Sequence, residues 1–361
     1  MVSHDVITSP LQEYFVSLGF NVDQIDGKKT IKYFSSPETE IDSLYNGVGL
    51  VDLSTNGIIE LRGKDVLDFL NRISTNSLKD LPKEGIGKTI FTTEKGRIID
   101  TATVLNFDDY QILVCSGVNK MKIKNWIEKY IISDDVTVTD TPGKYILFQL
   151  MGPQADSFIT LICGNYVNNI QANKFKVING EGMMFFTAKF IDEKGNPLYW
   201  VLADIQNGQK LISYLHINRG IFDFNFIGEE AWNSYRIEQG IPAAPYEIND
   251  QFNPHEVNLL VMVSFTKGCY TGQEVVARTH YLGKAKRELF LAETAADVEF
   301  AVDTNVIDET GQLVGQILTT FPESESYKIL LVLQISAVES TELRLNNSKQ
   351  DKIRLIPFAT A

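Results

Sequence analysis

Apolar positions along this chain recur with two periods, about 3.6 and about 2 residues, and the switches between them mark out its elements. Ser36-Pro37 reads as a cap followed by proline at the first helical position. Ile41, Leu44, Tyr45 and Val48 continue at helical spacing, so a helix is expected to end near residues 47–49. Residues 57–61 read as a strand, and Gly63-Lys64-Asp65 opens a helix with Val66, Leu67, Phe69 and Leu70 on its apolar side. Residues 88–93 and 98–106 predict paired strands around the turn Glu94-Lys95-Gly96, and 110–115 predict another. A helix over 118–131 gathers Met121, Ile123, Trp126, Ile127, Tyr130 and Ile131 largely on one face, and a strand at 136–139 closes the unit.

The same order then returns. A strand at 145–150 is followed by a helix through Phe158, Ile159 and Ile162, strands at 175–178, 183–188 and 198–202, a helix near 209–217 and an extended stretch at 220–225. Both passes follow a β-α-β-β-α-β order with an extra strand, the split βαβ arrangement, so the repeat is one of architecture and not of sequence. A helix over 228–239 stops at Gly240, with Pro242 just beyond. After about residue 284 the pattern changes to short strands at 289–292, 314–319, 327–335 and 353–356, with Asp308-Glu309-Thr310-Gly311 as a hairpin turn; such a tail predicts a small antiparallel barrel.

A chain of 361 residues exceeds what one core usually serves, and its 44% hydrophobic, 22% charged composition is that of a globular protein. Apolar runs such as 329–333 are far too short to cross a bilayer. The first residues lack the basic flank and apolar stretch of a secretory signal and the Arg-rich character of a transit peptide. A formal net charge of −13 disfavours direct nucleic-acid binding, although 267–287 is locally rich in Lys and Arg. The three cysteines, Cys115, Cys163 and Cys269, are few and far apart, so no disulfide framework is expected and the implied compartment is a reducing cytoplasm. No local zinc or cluster spacing occurs, and no metal site is assigned.

The chemistry concentrates in residues 264–278. Thr271 and Glu274 stand at capping-box spacing, so a helix is expected to start at Thr271 with Cys269 just before its N-terminus. The positive end of the helix and the charge of Lys267 would then favour thiolate at Cys269, with Gly268 and Gly272 leaving room above the sulfur. The competing reading is a small buried cysteine beside a cap, which suits Cys115 and Cys163 better. Lys267-Gly268-Cys269-Tyr270-Thr271-Gly272-Gln273-Glu274, followed by Val276-Ala277-Arg278, resembles the signature of the YgfZ-type proteins, a branch of the folate-binding relatives of the glycine-cleavage T-protein. Arg236-Ile237-Glu238-Gln239-Gly240-Ile241-Pro242, Asn258-Leu259 and Lys286-Arg287 agree with that branch. Gly49-Leu50-Val51-Asp52-Leu53-Ser54, Leu61-Arg62-Gly63-Lys64-Asp65 and, less closely, Met151-Gly152-Pro153-Gln154-Ala155 resemble landmarks of the wider superfamily.

The resemblance implies an α+β fold of two ferredoxin-like subdomains and a C-terminal antiparallel β-barrel, arranged as a T-protein-like cloverleaf around bound tetrahydrofolate. It divides the chain into one subdomain from 1–50 and 141–283, a second from 51–140, and a barrel from 284–361. It implies a folate-binding accessory factor for assembly or repair of iron–sulfur proteins, including tRNA-modifying radical enzymes, with iron–sulfur client or assembly proteins as partners and no defined turnover. The alternative is a glycine-cleavage-type aminomethyltransferase. Gly96-Arg97-Ile98-Ile99-Asp100-Thr101 matches the turn before the T-protein's catalytic aspartate, keeping Asp100 but not the second glycine or second aspartate. Asp100 is therefore a candidate for proton transfer or folate binding, or else a polar strand residue facing solvent. Trp232 occupies the place of a tryptophan associated with folate in YgfZ-type relatives, or else anchors a core. Arg236, one helical turn on, is a candidate partner for a folate carboxylate, or else makes a surface ion pair. Glu193 is the candidate match to the folate-binding glutamate of T-proteins, in a segment that otherwise reads as a turn. His255 and His280 flank the motif and read as ordinary polar side chains.

Overall fold

A computed structural model describes residues 6–359 except 26, 193–194, 282, 284 and 340–341. The chain divides into two compact units: Met1–Leu70, Leu78–Lys88 and Ala102–Trp232 make the first, and Asn71–Ser77, Thr89–Thr101 and Asn233–Ala361 the second.

Two sheets carry the first unit, each built in the duplicated order that the apolar pattern predicts. One has the order Ile86–Thr92, Ile98–Asn106, Tyr110–Cys115, Gly57–Arg62, Thr137–Asp140, with the hairpin end Thr89–Thr101 counted in the second unit. The helices Val66–Ile73 and Lys120–Tyr130 make its connections. The other sheet has the order Lys174–Gly180, Met183–Ile191, Pro197–Asp204, Tyr145–Met151, Val48–Asp52, Phe224–Ile227. Its centre differs from the expectation. Residues 47–49 were expected only to end a helix, yet Val48–Asp52 is a buried strand, antiparallel to Tyr145–Met151 and parallel to Phe224–Ile227. Backbone pairing on both sides overrides the weak local signal of Val-Gly-Leu-Val-Asp. Glycine suits the close packing there, because a Cβ at Gly49 would lie 2.6 Å from the Leu44 side chain and 2.7 Å from that of Ile227, and both would have to shift.

The helix Pro37–Asn46 does start as read, with Ser36 accepting from the Thr39 N–H at 3.2 Å and Pro37 in the first turn. One core lies between the six-stranded sheet and its helices, around Leu50, Phe148, Phe158, Tyr199, Leu211 and Phe226. A second fills the space between the two sheets, around Ile58, Ile112, Leu147, Phe175 and Phe190. The elements Ile7–Thr8, Gln12–Ser17, Asp23–Ile25 and Lys28–Thr30 were not expected from the pattern; they are short and form a small three-stranded sheet with one helix.

In the second unit the tail closes into a six-stranded antiparallel barrel, ordered Arg287–Ala295, Ser326–Gln334, Leu313–Pro322, Asn305–Ile307, Leu343–Leu345, Lys352–Ile356. Two three-residue strands, Asn305–Ile307 and Leu343–Leu345, escaped the sequence reading because they are too short for an alternating pattern to show. The turn at 308–311 is as read: the Asp308 carboxylate accepts from the backbone N–H of Thr310 at 2.8 Å and of Gln312 at 3.0 Å. Val306, Ile317, Leu331, Leu333 and Leu345 fill the barrel interior. Ile90, Ile98, Ile237, Phe252, Val276 and Leu330 form a further core in the same unit. This is a mixed α+β fold with ferredoxin-like sheets and a closed antiparallel barrel, the expected class.

Candidate functional site

The 264–281 segment is fixed at several points within the second unit. The Ser264 N–H donates to Thr75 O at 3.0 Å, and the Thr75 hydroxyl donates to Met262 O at 2.8 Å while accepting from the Ile90 N–H at 3.0 Å. Lys267 comes next. Its Nζ donates to the backbone carbonyls of Asn71, of Ser74 at 2.8 Å and of Asn76 at 2.7 Å, at and just past the end of the Val66–Ile73 helix. Those are carbonyls that a helix terminus leaves unpaired, and a cation belongs there. Burial pulls the Lys267 pKa down to about 8, and three carbonyl acceptors hold the protonated form at neutral pH. Its Nζ also lies 5.2 Å from the centre of the Tyr270 ring.

Cys269 and Tyr270 are divided by burial. Cys269 is exposed, and a Cβ added at Gly268 would meet open space. Tyr270 is only 7% exposed; its hydroxyl is buried with no hydrogen-bond partner among the described residues, and burial pushes its pKa up to about 12. Thr271 O accepts from the Thr92 hydroxyl at 2.7 Å. Gly272 follows with φ +84°, and a Cβ on it would stand 2.4 Å from Thr93 O. This close turn delays the helix, which runs Gln273–Tyr281. The expected start at Thr271 is thus corrected by two residues: the 271–272 turn is held by Thr92 and by the approach of Gly272 to Thr93, and Gly272 O accepts from the Val276 N–H at 3.3 Å. Gly96, φ +67°, lets the tip of the 89–101 hairpin lie against Val275 and Val276.

Asp100 sits in the strand Ile98–Asn106 and is fully buried, so it does not face solvent; its Oδ1 accepts from the Thr101 N–H at 2.9 Å. Three residues earlier, Arg97 donates to Gln251 O at 2.7 Å and pairs with Glu256 at 3.3 Å. Glu256 also takes Arg287 at 2.7 Å and the Asn253 N–H at 3.0 Å. The arginine of the Lys286-Arg287 landmark therefore serves this junction.

Arg236 lies on the helix Glu229–Glu238, whose C-terminus closes as read: Gly240 has φ +66° and the Ile241 N–H donates to Arg236 O at 2.8 Å. Its side chain is not at the surface. It is 1% exposed and pairs through Nη1 with Glu247, itself fully buried, at 3.1 Å. Its Nε donates to Asn233 Oδ1 at 2.8 Å, and Nη2 has no acceptor among the described residues. Glu247 also accepts from the Ala243 N–H at 3.0 Å and from the Thr319 hydroxyl of the barrel. Trp232, one turn earlier on the helix, is half-buried. Glu193 lies outside the described residues. Of the remaining cysteines, Cys115 and Cys163 are buried, and burial pushes the Cys163 thiol up to about 11 with the Thr187 hydroxyl 3.3 Å away.

Within the second unit the fold thus assembles a pinned loop with Cys269 outward and Tyr270 inward, a buried aspartate, and a buried arginine with one unfilled donor. Glu247, Glu256 and Tyr270 were missed as contributors. Arg236 was read as a partner for a folate carboxylate or as a surface ion pair, and nothing in its landmark sequence signalled Glu247.

Residues 13–267 match the GCVT N-terminal domain family. The chloroplastic “Putative transferase” of Arabidopsis thaliana is 28% identical over 291 residues, which are 80% of this chain and 65% of that protein, so the chain spans less than two thirds of its relative's length. The crystal structure of glycine cleavage system aminomethyltransferase T from Bartonella henselae is similar over 97% of this chain and 96% of its own, with a TM-score of 0.82 and 17% sequence identity, a likeness of fold. Among the described residues no helix is long and apolar enough to cross a membrane.

Proposed function

The chain belongs to the GCVT N-terminal domain family, and from that membership we propose that it is a folate-binding accessory factor of the YgfZ type, supporting the assembly or repair of iron–sulfur proteins in a reducing compartment such as the cytoplasm, through tetrahydrofolate and the thiol of Cys269. The observation that carries this reading is the presentation of Cys269. The thiol is exposed on a loop whose neighbours are held at Lys267, Tyr270, Thr271 and Gly272. A rigid loop that turns its one sulfur outward suits reaction or ligation with a client protein. Lys267 acts as the clamp of that loop, all three of its N–H bonds being taken by carbonyls.

Reduced folate is what the fold family implies, and this chain's residues fit it. Arg236 Nη2 is a buried donor without an acceptor, suited to a carbonyl or carboxylate oxygen. The half-buried Trp232 offers an indole face on the same helix, suited to a pterin or benzoyl ring. Asp100, buried, is the acceptor for a pterin N–H, and Glu193 is the remaining candidate. When bound, tetrahydrofolate supplies nitrogens that carry a one-carbon unit.

Titration of the purified protein with tetrahydrofolate, followed by Trp fluorescence, tests the ligand; saturable quenching in the parent that is lost in Trp232→Ala is the expected result, and no binding to the parent overturns it. The aminomethyltransferase reading is favoured by one observation, the burial of Asp100 on its strand. An assay with a lipoyl-bound aminomethyl donor separates the two: formation of 5,10-methylenetetrahydrofolate that survives Cys269→Ala but not Asp100→Asn would replace our reading with that one.

A further inference from the structure

At the far end of the Gln273–Tyr281 helix from Cys269 stands a group that the proposed function does not use. His280, exposed in the last turn, stacks on Phe265 with ring centres 3.7 Å apart and planes 14° from parallel. His255, from the loop after Phe252, has its ring centre 6.1 Å from that of His280 and 6.4 Å from that of Phe265. Both ring nitrogens of His255 are buried, and neither has a hydrogen-bond partner among the described residues. A neutral imidazole carries one donor and one acceptor, and leaving both unmade while out of water is unfavourable unless something else fills one of them. The neighbouring groups do not: the Glu256 carboxylate is occupied by Arg97, Arg287 and the Asn253 N–H, and Phe265 presents only a ring.

We infer that His255 and His280 form a site for a borderline divalent transition-metal ion such as Zn²⁺ or Ni²⁺, bound through one imidazole nitrogen from each. Two imidazoles on one ion, with metal–nitrogen bonds of about 2.0–2.1 Å, have ring centres roughly 5–6.5 Å apart, which brackets the observed spacing. Stacking on Phe265 fixes the plane of His280. Among the described residues no third histidine, cysteine or carboxylate completes the set. The remaining positions fall to water or to a ligand brought from outside, so the affinity is expected to be below that of a four-ligand structural site. It is independent of the folate reading and of Cys269.

The test uses the full chain without an affinity tag. Zn²⁺ is titrated against a chromogenic competitor, and the imidazole resonances are followed in ¹⁵N-labelled protein. One ion per chain is expected, with the nitrogen shifts of two histidines moving together. His280→Ala, on the exposed side, is expected to weaken binding at least tenfold with an unchanged far-UV spectrum, and His255→Gln to do the same. Cys269→Ser is expected to leave the affinity within twofold. The inference is overturned if no ion binds at 1 mM Zn²⁺, if His280→Ala binds like the parent, or if Cys269→Ser abolishes binding.

Discussion

Replacing Arg236 by methionine removes the cation from a pair in which neither partner reaches solvent: Arg236 is 1% and Glu247 0% exposed, with Nη1 and Oε2 3.1 Å apart. Two unit charges about 3 Å apart attract by roughly 5 kcal/mol at an effective dielectric of about 20. Most of that attraction only offsets the loss of hydration when the pair is buried. The informative quantity is therefore the cost of stranding one charge, typically about 3–5 kcal/mol. Glu247 would keep two donors, the Ala243 N–H and the Thr319 hydroxyl, so the lower part of that range is expected, about 3 kcal/mol. Glu247→Leu strands the guanidinium instead and should cost at least as much, because it also removes the acceptor for Thr319. The double variant Arg236→Met/Glu247→Leu leaves no buried charge, and its cost should fall short of the sum of the singles by about 2–3 kcal/mol. Scanning calorimetry resolves this as a fall of roughly 10 °C in the transition of the second unit for each single variant, with partial recovery in the double. Single variants that cost under about 1 kcal/mol each, and add, would show that the pair is hydrated and that the reasoning from burial fails.

Three further outcomes follow from the same geometry. Iodoacetamide at pH 8 should modify one cysteine of the native protein, Cys269, and three after denaturation, as read by peptide mass spectrometry, since Cys115 and Cys163 are buried. Gly272→Ala puts a Cβ 2.4 Å from Thr93 O at a φ of +84°, so a loss of about 2 kcal/mol or more is expected, together with faster amide exchange over 268–273. Burial raises the Cys163 pKa from 9.0 to about 11, so the folded chain holds that proton while the unfolded chain releases it; stability contributed at lower pH is lost as pH rises between about 9 and 11, by about 2–3 kcal/mol in full, and Cys163→Ala should flatten that part of a urea-denaturation pH profile.

The division between what could and could not be read from the sequence follows the range of the interactions. Elements long enough to repeat an apolar period, such as Lys120–Tyr130 and Tyr145–Met151, appear where the pattern places them, and so do ends marked by local chemistry, as at Ser36-Pro37, Asp308 and Gly240. Val48–Asp52 does not, because five residues with a glycine at the second position carry no alternation; its strand identity comes from Tyr145–Met151 on one side and Phe224–Ile227 on the other. The start of the Gln273–Tyr281 helix fails for a related reason. Thr271 and Glu274 satisfy a local capping pattern, but Thr92 takes the Thr271 carbonyl and Gly272 turns against Thr93, contacts that span about 180 residues of sequence.

The candidate site shows the same limit in a sharper form. Residue types in the Lys267–Gly272 stretch announce chemistry, and Lys267 in particular reads as a charge placed for the thiol. Its ammonium is instead spent on three main-chain carbonyls some 190 residues away in sequence, as the separations of 191, 193 and 196 record. A residue that closes a helix end cannot swing toward a sulfur without leaving those carbonyls unpaired, a cost of about 1–3 kcal/mol for each that water does not reach. The same holds for Tyr270, which is buried while its neighbour is exposed. Most of the motif is therefore a mounting, from which Cys269 stands as an exposed thiol. On this argument a change at Lys267 acts on how the loop is held: Lys267→Met should speed amide exchange at Asn71–Ser77 and the 268–273 loop together. Unchanged exchange in both segments would show that Lys267 does not hold the loop.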